Sequence, residues 1–303
     1  MRTAVIDLGT NTFNLLIADI VGKEIDFVYK AKMPSKLGED GITSSKIHED
    51  ACARGINILR EYKKIIDKHN VNTVYAIATS AVRSASNGSE FINKVSEKTG
   101  INVQLVSGEE EARYIYQGVR ETLSEEKDYL ILDIGGGSTE FVVVENNQVK
   151  YVKSFKLGMA RLMERFNPSD PITKHEIWAI EAFLKNELQP FFDEIRNLNI
   201  KVLIGSSGSF DTLLSMIAHN FYQPGHYKKK LSSEFEREHF NYMYNVIIQT
   251  SLMERREIPG MDLVRVEMMS LAMIFANFVI RELGITKLIQ SRYSLKEGLL
   301  FSL

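Results

Sequence analysis

The chain has 303 residues, 44% hydrophobic and 25% charged, with a formal net charge of −2. That is the make-up of an ordinary globular protein long enough for two cores, and it excludes a disordered or low-complexity tail. It also argues against a nucleic-acid binder, which carries a strongly basic face, so any polyanionic ligand must meet local positive charge or a metal.

Met1-Arg2-Thr3 runs directly into an apolar strand, so no signal peptide is expected. The run Ala4 to Leu8 carries Asp7, passes through Gly9-Thr10-Asn11 and continues as a second apolar run to Ala18, with a turn at Gly22. Strand-rich sequence extends to about Met33. Helical spacing then runs from about Ser45 to His69, followed by a strand from Thr73 to Ala78 and a helix from Glu90 to Lys98 ended by Gly100. A strand from Val103 to Val106 leads into a helix carrying Glu109 to Val119. Cys52, the single cysteine, sits between two alanines in the first helical pattern and reads as a small packing residue. It can form no internal disulfide, which suits a cytoplasmic protein. The charged stretch Glu121 to Asp128 is the expected boundary, giving domains of 1–124 and 125–303.

Beyond it the pattern begins again. A hairpin is expected from Tyr129 to about Phe155, and capping boxes at Thr173-x-x-Glu176 and Ser233-x-x-Glu236 mark two helix starts. A strand from Lys201 to Ile204 runs into Gly205-Ser206-Ser207-Gly208-Ser209 and a helix, so Ser207 and Gly208 are candidates to hold an anion at a helix N-terminus. Lys228-Lys229-Lys230, after Gln223-Pro224-Gly225, reads as a solvated loop, with a landing site for a long anionic chain as the functional alternative. The longest apolar run, Met268 to Ile280, is interrupted by Ser270 and Asn277 and is too short to span a bilayer, so it predicts a buried helix and no membrane partner. Mixed strands and helices in this order are the grammar of an α/β protein.

The most informative stretch is Asp133-Ile134-Gly135-Gly136-Gly137-Ser138-Thr139-Glu140, between apolar β-type runs. Three glycines allow turn angles closed to other residues and bring bare N–H groups close to an anion. Asp133 and Glu140 supply the hard oxygen ligands that Mg²⁺ prefers. Glu140 stands where a dinucleotide-binding loop needs its third glycine, so these glycines belong to a hairpin and not to a helix start. Asp7-Leu8-Gly9-Thr10-Asn11 repeats the device one domain length earlier, which argues for two similar domains facing each other across a cleft. Arg83, closing Ala78-Thr79-Ser80-Ala81-Val82-Arg83, suits the multi-oxygen face of a phosphate at a strand's carboxyl end. Glu109-Glu110-Glu111 opens a helix, where capping alone accounts for three acids; the functional reading, a base for water, is not separable from it by spacing. The six histidines are scattered without metal-ligand spacing, which disfavours transition-metal chemistry.

In order, these blocks resemble the exopolyphosphatase / guanosine pentaphosphate phosphohydrolase family, as do Phe155-Lys156-Leu157-Gly158-Met159-Ala160-Arg161-Leu162 and Tyr293-Ser294-Leu295-Lys296-Glu297-Gly298. The resemblance covers essentially the whole chain. It implies an α/β fold of two ribonuclease-H-like domains of the actin-like ATPase superfamily facing across a cleft, with the C-terminal helix able to pack back on the first domain. It implies a Mg²⁺-dependent hydrolase taking terminal phosphate from inorganic polyphosphate or guanosine pentaphosphate, with polyphosphate the first choice. Carried over by motif, Glu111 is the catalytic glutamate and Arg83 the phosphate-contacting arginine. Thr10 and Asn11 belong to the first phosphate loop, Gly135, Gly136, Gly137 and Ser138 to the second, and Asp7, Asp133 and Glu140 are the candidate metal ligands. Asn14 and Lys296 depart from a histidine and an arginine common in the family, and longer members carry extra C-terminal helical domains where this sequence stops at Leu303, so processive action on long chains is not expected. A homodimer is compatible with this reading. A phosphotransferase of the same fold and a non-catalytic sensor of guanosine polyphosphates are the other classes.

Overall fold

The computed structural model describes residues 1–22, 24–39, 41–124, 126–223, 226–227 and 230–303. Lys228 and Lys229, and with them most of the basic run, lie outside the described residues.

The first half opens with β1 (Arg2–Leu8), β2 (Thr12–Val21) and β3 (Glu24–Pro34), an antiparallel meander. It continues through α1 (Glu49–Lys68), β4 (Thr73–Ala78), α2 (Ser80–Ser84), α3 (Gly88–Thr99), β5 (Val103–Leu105) and α4 (Gly108–Arg120). β4 adds parallel to β1 and β5 parallel to β4, giving the order β3-β2-β1-β4-β5. The second half repeats this scheme with β6 (Tyr129–Ile134), β7 (Thr139–Glu145), β8 (Gln148–Phe155), α5 (Met159–Phe166), α6 (Lys174–Ile195), β9 (Val202–Ser206) and α7 (Ser207–Phe221). Then follow β10 (Ser232–Phe235), α8 (Arg237–Gln249), α9 (Leu252–Arg256), α10 (Met269–Glu282), β11 (Lys287–Ser291) and α11 (Leu295–Phe301). Its sheet runs β8-β7-β6-β9-β11-β10: an antiparallel meander, two parallel strands and one extra antiparallel edge. The repeat inferred from two Asp-x-Gly motifs is thus a repeat of topology, and the α/β fold of two facing ribonuclease-H-like sheets stands.

Burial follows position in the sheet. β6 is buried along its whole length and β1 along all but its first residue, whereas edge strand β3 is half exposed, as expected where helices cover both faces of the central strands. α10, the long apolar run, is buried from Met269 to Ala276, which explains why it is apolar all round. Among the described residues no helix is long and apolar enough to cross a membrane. Cys52 packs against the core of the first sheet.

A third core lies between the sheets. It runs from Val5 and Ile77 through Ala112, Ile115 and Val119 of α4 to Ile131, Ile289, Leu299 and Leu300. Here α4 and α11 meet backbone to backbone: a Cβ on Gly298 would fall 1.6 Å from the Tyr114 carbonyl oxygen, and one on Gly118 would fall 2.3 Å from that of Ser294. The C-terminal helix does pack back on the first half.

Two local expectations fail. Ser233-x-x-Glu236 opens no helix; Ser233 pairs with Gln290 inside β10, and α8 begins after Glu236. The capping-box pattern is real at Thr173 and Glu176, but at Ser233 edge pairing with β11 overrides it. The glycines of the two motif turns also do not use the left-handed region, since Gly9, Gly135, Gly136 and Gly137 all lie outside it.

Candidate functional site

What those glycines provide is closeness. A Cβ on Gly136 would sit 2.7 Å from the Asn11 side chain, and one on Gly137 would sit 2.6 Å from Thr10 Oγ1 and 2.7 Å from Ser80 Oγ. The β1–β2 and β6–β7 turns therefore touch, side chains of the first against bare backbone of the second.

Both turns have their carbonyls drawn away. Thr10 O accepts from Leu37 N at 2.7 Å, and Asn11 O from Ser35 N and Lys36 N at 2.9 and 3.0 Å. Across the cleft Gly135 O accepts from Met159 N at 2.9 Å, Gly136 O from Ala160 N at 2.8 Å, and Gly137 O from Arg161 Nε at 2.8 Å. The amides of Thr10, Asn11, Gly136 and Gly137 have no hydrogen-bond partner among the described residues, and all four residues line one cleft of about 320 Å³. Backbone N–H groups left without a protein partner along the wall of a cleft suit a multi-oxygen anion.

Carboxylates surround this cradle. Asp7 Oδ2 accepts from Asn14 Nδ2 at 2.9 Å, while Oδ1 is buried without a partner. Burial pushes Asp7 up to about 6 despite that bond, with Asp133 adding to the rise. Asp133 Oδ2 accepts from Ser206 Oγ at 2.7 Å and Ser207 Oγ at 2.5 Å; burial raises its pKa and the two hydroxyls oppose it. Glu140 Oε1 accepts from Ser154 Oγ at 2.7 Å, and burial, then the nearby Glu111 and Asp133 charges, raises it well above the usual carboxylate range.

The three acids of α4 separate cleanly. Glu110 closes a capping box with Ser107, accepting from its amide at 2.7 Å, and Glu109 is exposed. Glu111 faces inward at 8% exposure, and its Oε2 accepts from Arg83 Nη1 at 2.9 Å. Burial pushes Glu111 up to about 7; Arg83 pulls the other way, and Asp7 and Asp133 reinforce the rise. The same Arg83 nitrogen donates to Val106 O at 2.9 Å, so α2 and α4 are pinned together behind the cradle.

Of the sequence candidates, Asp7, Thr10, Asn11, Glu111, Asp133, Gly135, Gly136, Gly137, Ser138, Glu140, Ser207 and Gly208 all line this cleft, with Arg83 behind Glu111. Ser207 spends its hydroxyl on Asp133 and holds a φ of 63°, rare for a residue with a side chain. Gly208 is roofed by Arg265, whose guanidinium would meet a Cβ there at 1.6 Å. Sequence reasoning missed Arg265 and the cleft-lining Lys30, Lys32, Arg292 and Lys296 as site residues. Lys296 lies in the family block Tyr293 to Gly298 but was read only as a departure from it; no local motif marks the others, since Lys30 and Lys32 sit on an edge strand and Arg265 arrives on the turn before α10.

Among the described residues no group of three or more His, Cys, Asp or Glu side chains gathers as a metal cage. Mg²⁺ rarely needs one, since it keeps waters and takes one or two carboxylates plus substrate phosphates. The unpartnered Asp7 oxygen fits that kind of site.

A model of the Ppx/GppA phosphatase family matches residues 16–303. An exopolyphosphatase from Cytophaga hutchinsonii is 34% identical over 100% of this chain and 97% of its own, with a TM-score of 0.96. The Aquifex aeolicus member of the Ppx/GppA family is 28% identical over 100% of this chain and 97% of its own, with a TM-score of 0.81.

Proposed function

The chain belongs to the Ppx/GppA phosphatase family, and from that premise we propose that it is a cytoplasmic exopolyphosphatase, hydrolysing the terminal phosphate of inorganic polyphosphate with Mg²⁺. The observation that carries this reading is the cradle of four unpartnered amides beside the buried Glu111. Phosphoryl transfer mostly requires placement and stabilisation of charge on equatorial oxygens, which preorganised N–H donors supply. Glu111, pushed up to about 7, has the basicity a general base needs near neutral pH, and Arg83 orients it. Asp7 and Asp133 would hold Mg²⁺; when bound it neutralises phosphate charge. Glu140, paired with Ser154 and raised well above the usual range, suits that role least.

Polyphosphate is favoured over guanosine pentaphosphate by the lining itself. No aromatic ring stands among the described residues of the cleft to stack on a base, whereas five lysine and arginine side chains line it.

The test is Mg²⁺-dependent phosphate release from both substrates, wild type against Glu111→Gln. Polyphosphate is the expected substrate, and the substitution should cost about 10²- to 10⁴-fold in kcat. Preference for the nucleotide would overturn the substrate, near wild-type turnover of E111Q would overturn the base, and binding without release would leave a sensor.

A further inference from the structure

We propose that Glu297 is a positioning residue that holds Lys30 and Lys296 as a paired cationic clamp for the phosphate groups of the substrate. The proposal rests on the phosphohydrolase reading of the cleft and adds residues that reading does not use.

Glu297 lies in the first turn of α11 and is fully buried. A buried carboxylate is costly unless it is paired and hydrogen-bonded, and this one is both. Its Oε1 stands 3.3 Å from Lys30 Nζ. Its Oε2 stands 3.2 Å from Lys296 Nζ and accepts from the Ser294 amide at 3.2 Å. One hidden carboxylate thus joins two cations that come from an edge strand of the first sheet and from the helix after the second sheet.

Both lysines line the cleft and neither is spent on Glu297. An ammonium has three donors, and the side chains remain 44% and 21% exposed for Lys30 and Lys296. The Lys30 ammonium lies 4.2 Å from the Phe27 ring centroid and 5.7 Å from that of Tyr293, which narrows its choice of position. Burial opposes the charge on Lys296, but Glu297, Asp211 and Asp7 more than offset it, so the group stays cationic. Two ammonium groups left on flexible stems would repel and wander. Held by Glu297 they present free donors together, an arrangement that suits a chain of phosphates with its repeated anionic oxygens.

A tie between α11 and β3 with no part in binding would predict lost stability alone, so the test reads binding. Tripolyphosphate affinity is measured by calorimetry in a Glu111→Gln background, and KM and kcat in the wild-type background. Lys30→Met, at a half-exposed site, should weaken tripolyphosphate binding about tenfold and flatten its salt dependence, with KM rising more than kcat falls. Glu297→Gln should do the same, and the double variant should lose little more than either single change, because both break one unit. Unchanged tripolyphosphate affinity in a folded K30M protein, or fully additive losses, would overturn the clamp. The binding measurement decides even if no phosphate is released from any substrate, so failure of the activity assignment is separable from failure of this one.

Discussion

The β1–β2 turn carries one glycine and ordinary side chains; the β6–β7 turn carries three glycines in a row. Both stand at the same place in the same sheet topology, and both turn their carbonyls away from the cleft. The first contributes Thr10 and Asn11 as bulk, and the second gives up side chains so that its backbone can come within contact of them. Their aspartates differ in the same spirit: Asp133 takes two hydroxyls on one oxygen, while Asp7 takes one amide, from Asn14, and buries its other oxygen without a partner. A duplicated framework has been kept for its geometry and divided in its chemistry.

The hardest way to break this comparison is to add a methyl group to each turn. Gly137→Ala meets Thr10 and Ser80 across the cleft and should lower kcat/KM about hundredfold, since displacement of about 1 Å at a reacting site has that cost. Gly9→Ala meets only the Thr12 carbonyl oxygen of its own turn, at 2.7 Å, and should appear first as a lower Tm. Activity retained by G137A would show that the turns need not touch.

The aspartates come next. Asp7→Asn should raise the Mg²⁺ concentration for half-maximal rate about tenfold, and more than Asp133→Asn does. A Mg²⁺ titration giving the reverse order would exchange their roles.

pH sharpens the comparison further. Asp7, raised to about 6, and Glu111, raised to about 7, bind protons in the folded state that the unfolded chain has released. Stability from these groups should therefore fall as pH rises from about 4.5 to 7. Activity should rise over the upper part of that range as Glu111 loses its proton. Thermal melts without metal should give a higher Tm at pH 5.5 than at 7.5, and Glu111→Gln should flatten the difference. The smallest effect is expected from Ser206→Ala, which removes one of two hydroxyls on Asp133 and should cost about 1 kcal/mol by denaturant titration.

The repeated strand-turn-strand units were legible in sequence because a hairpin is local, and so were the acids of α4 as a group. Which acid faces inward was not legible from spacing, and only the family resemblance singled out Glu111: Glu110 and Glu111 are neighbours of the same type, and the packing of α4 between the sheets buries one and exposes the other. The capping pattern at Ser233 misled for the same reason, because its fate was decided by β11, more than fifty residues away. Arg265, Lys30 and Lys296 meet only through topology. The fold could be read from short-range pattern; the cation wall of the cleft could not.

The core between the sheets takes Val5 from the first strand and Leu300 from α11. At about 5–20 residues per second, a ribosome needs about 15–60 s to make the chain between them. For that time the core between the sheets has α4 in place but lacks the wall that α11 supplies. The residues of the cradle are all made by Arg161, but the cationic wall facing it, which ends at Lys296, is complete only when synthesis has passed α11.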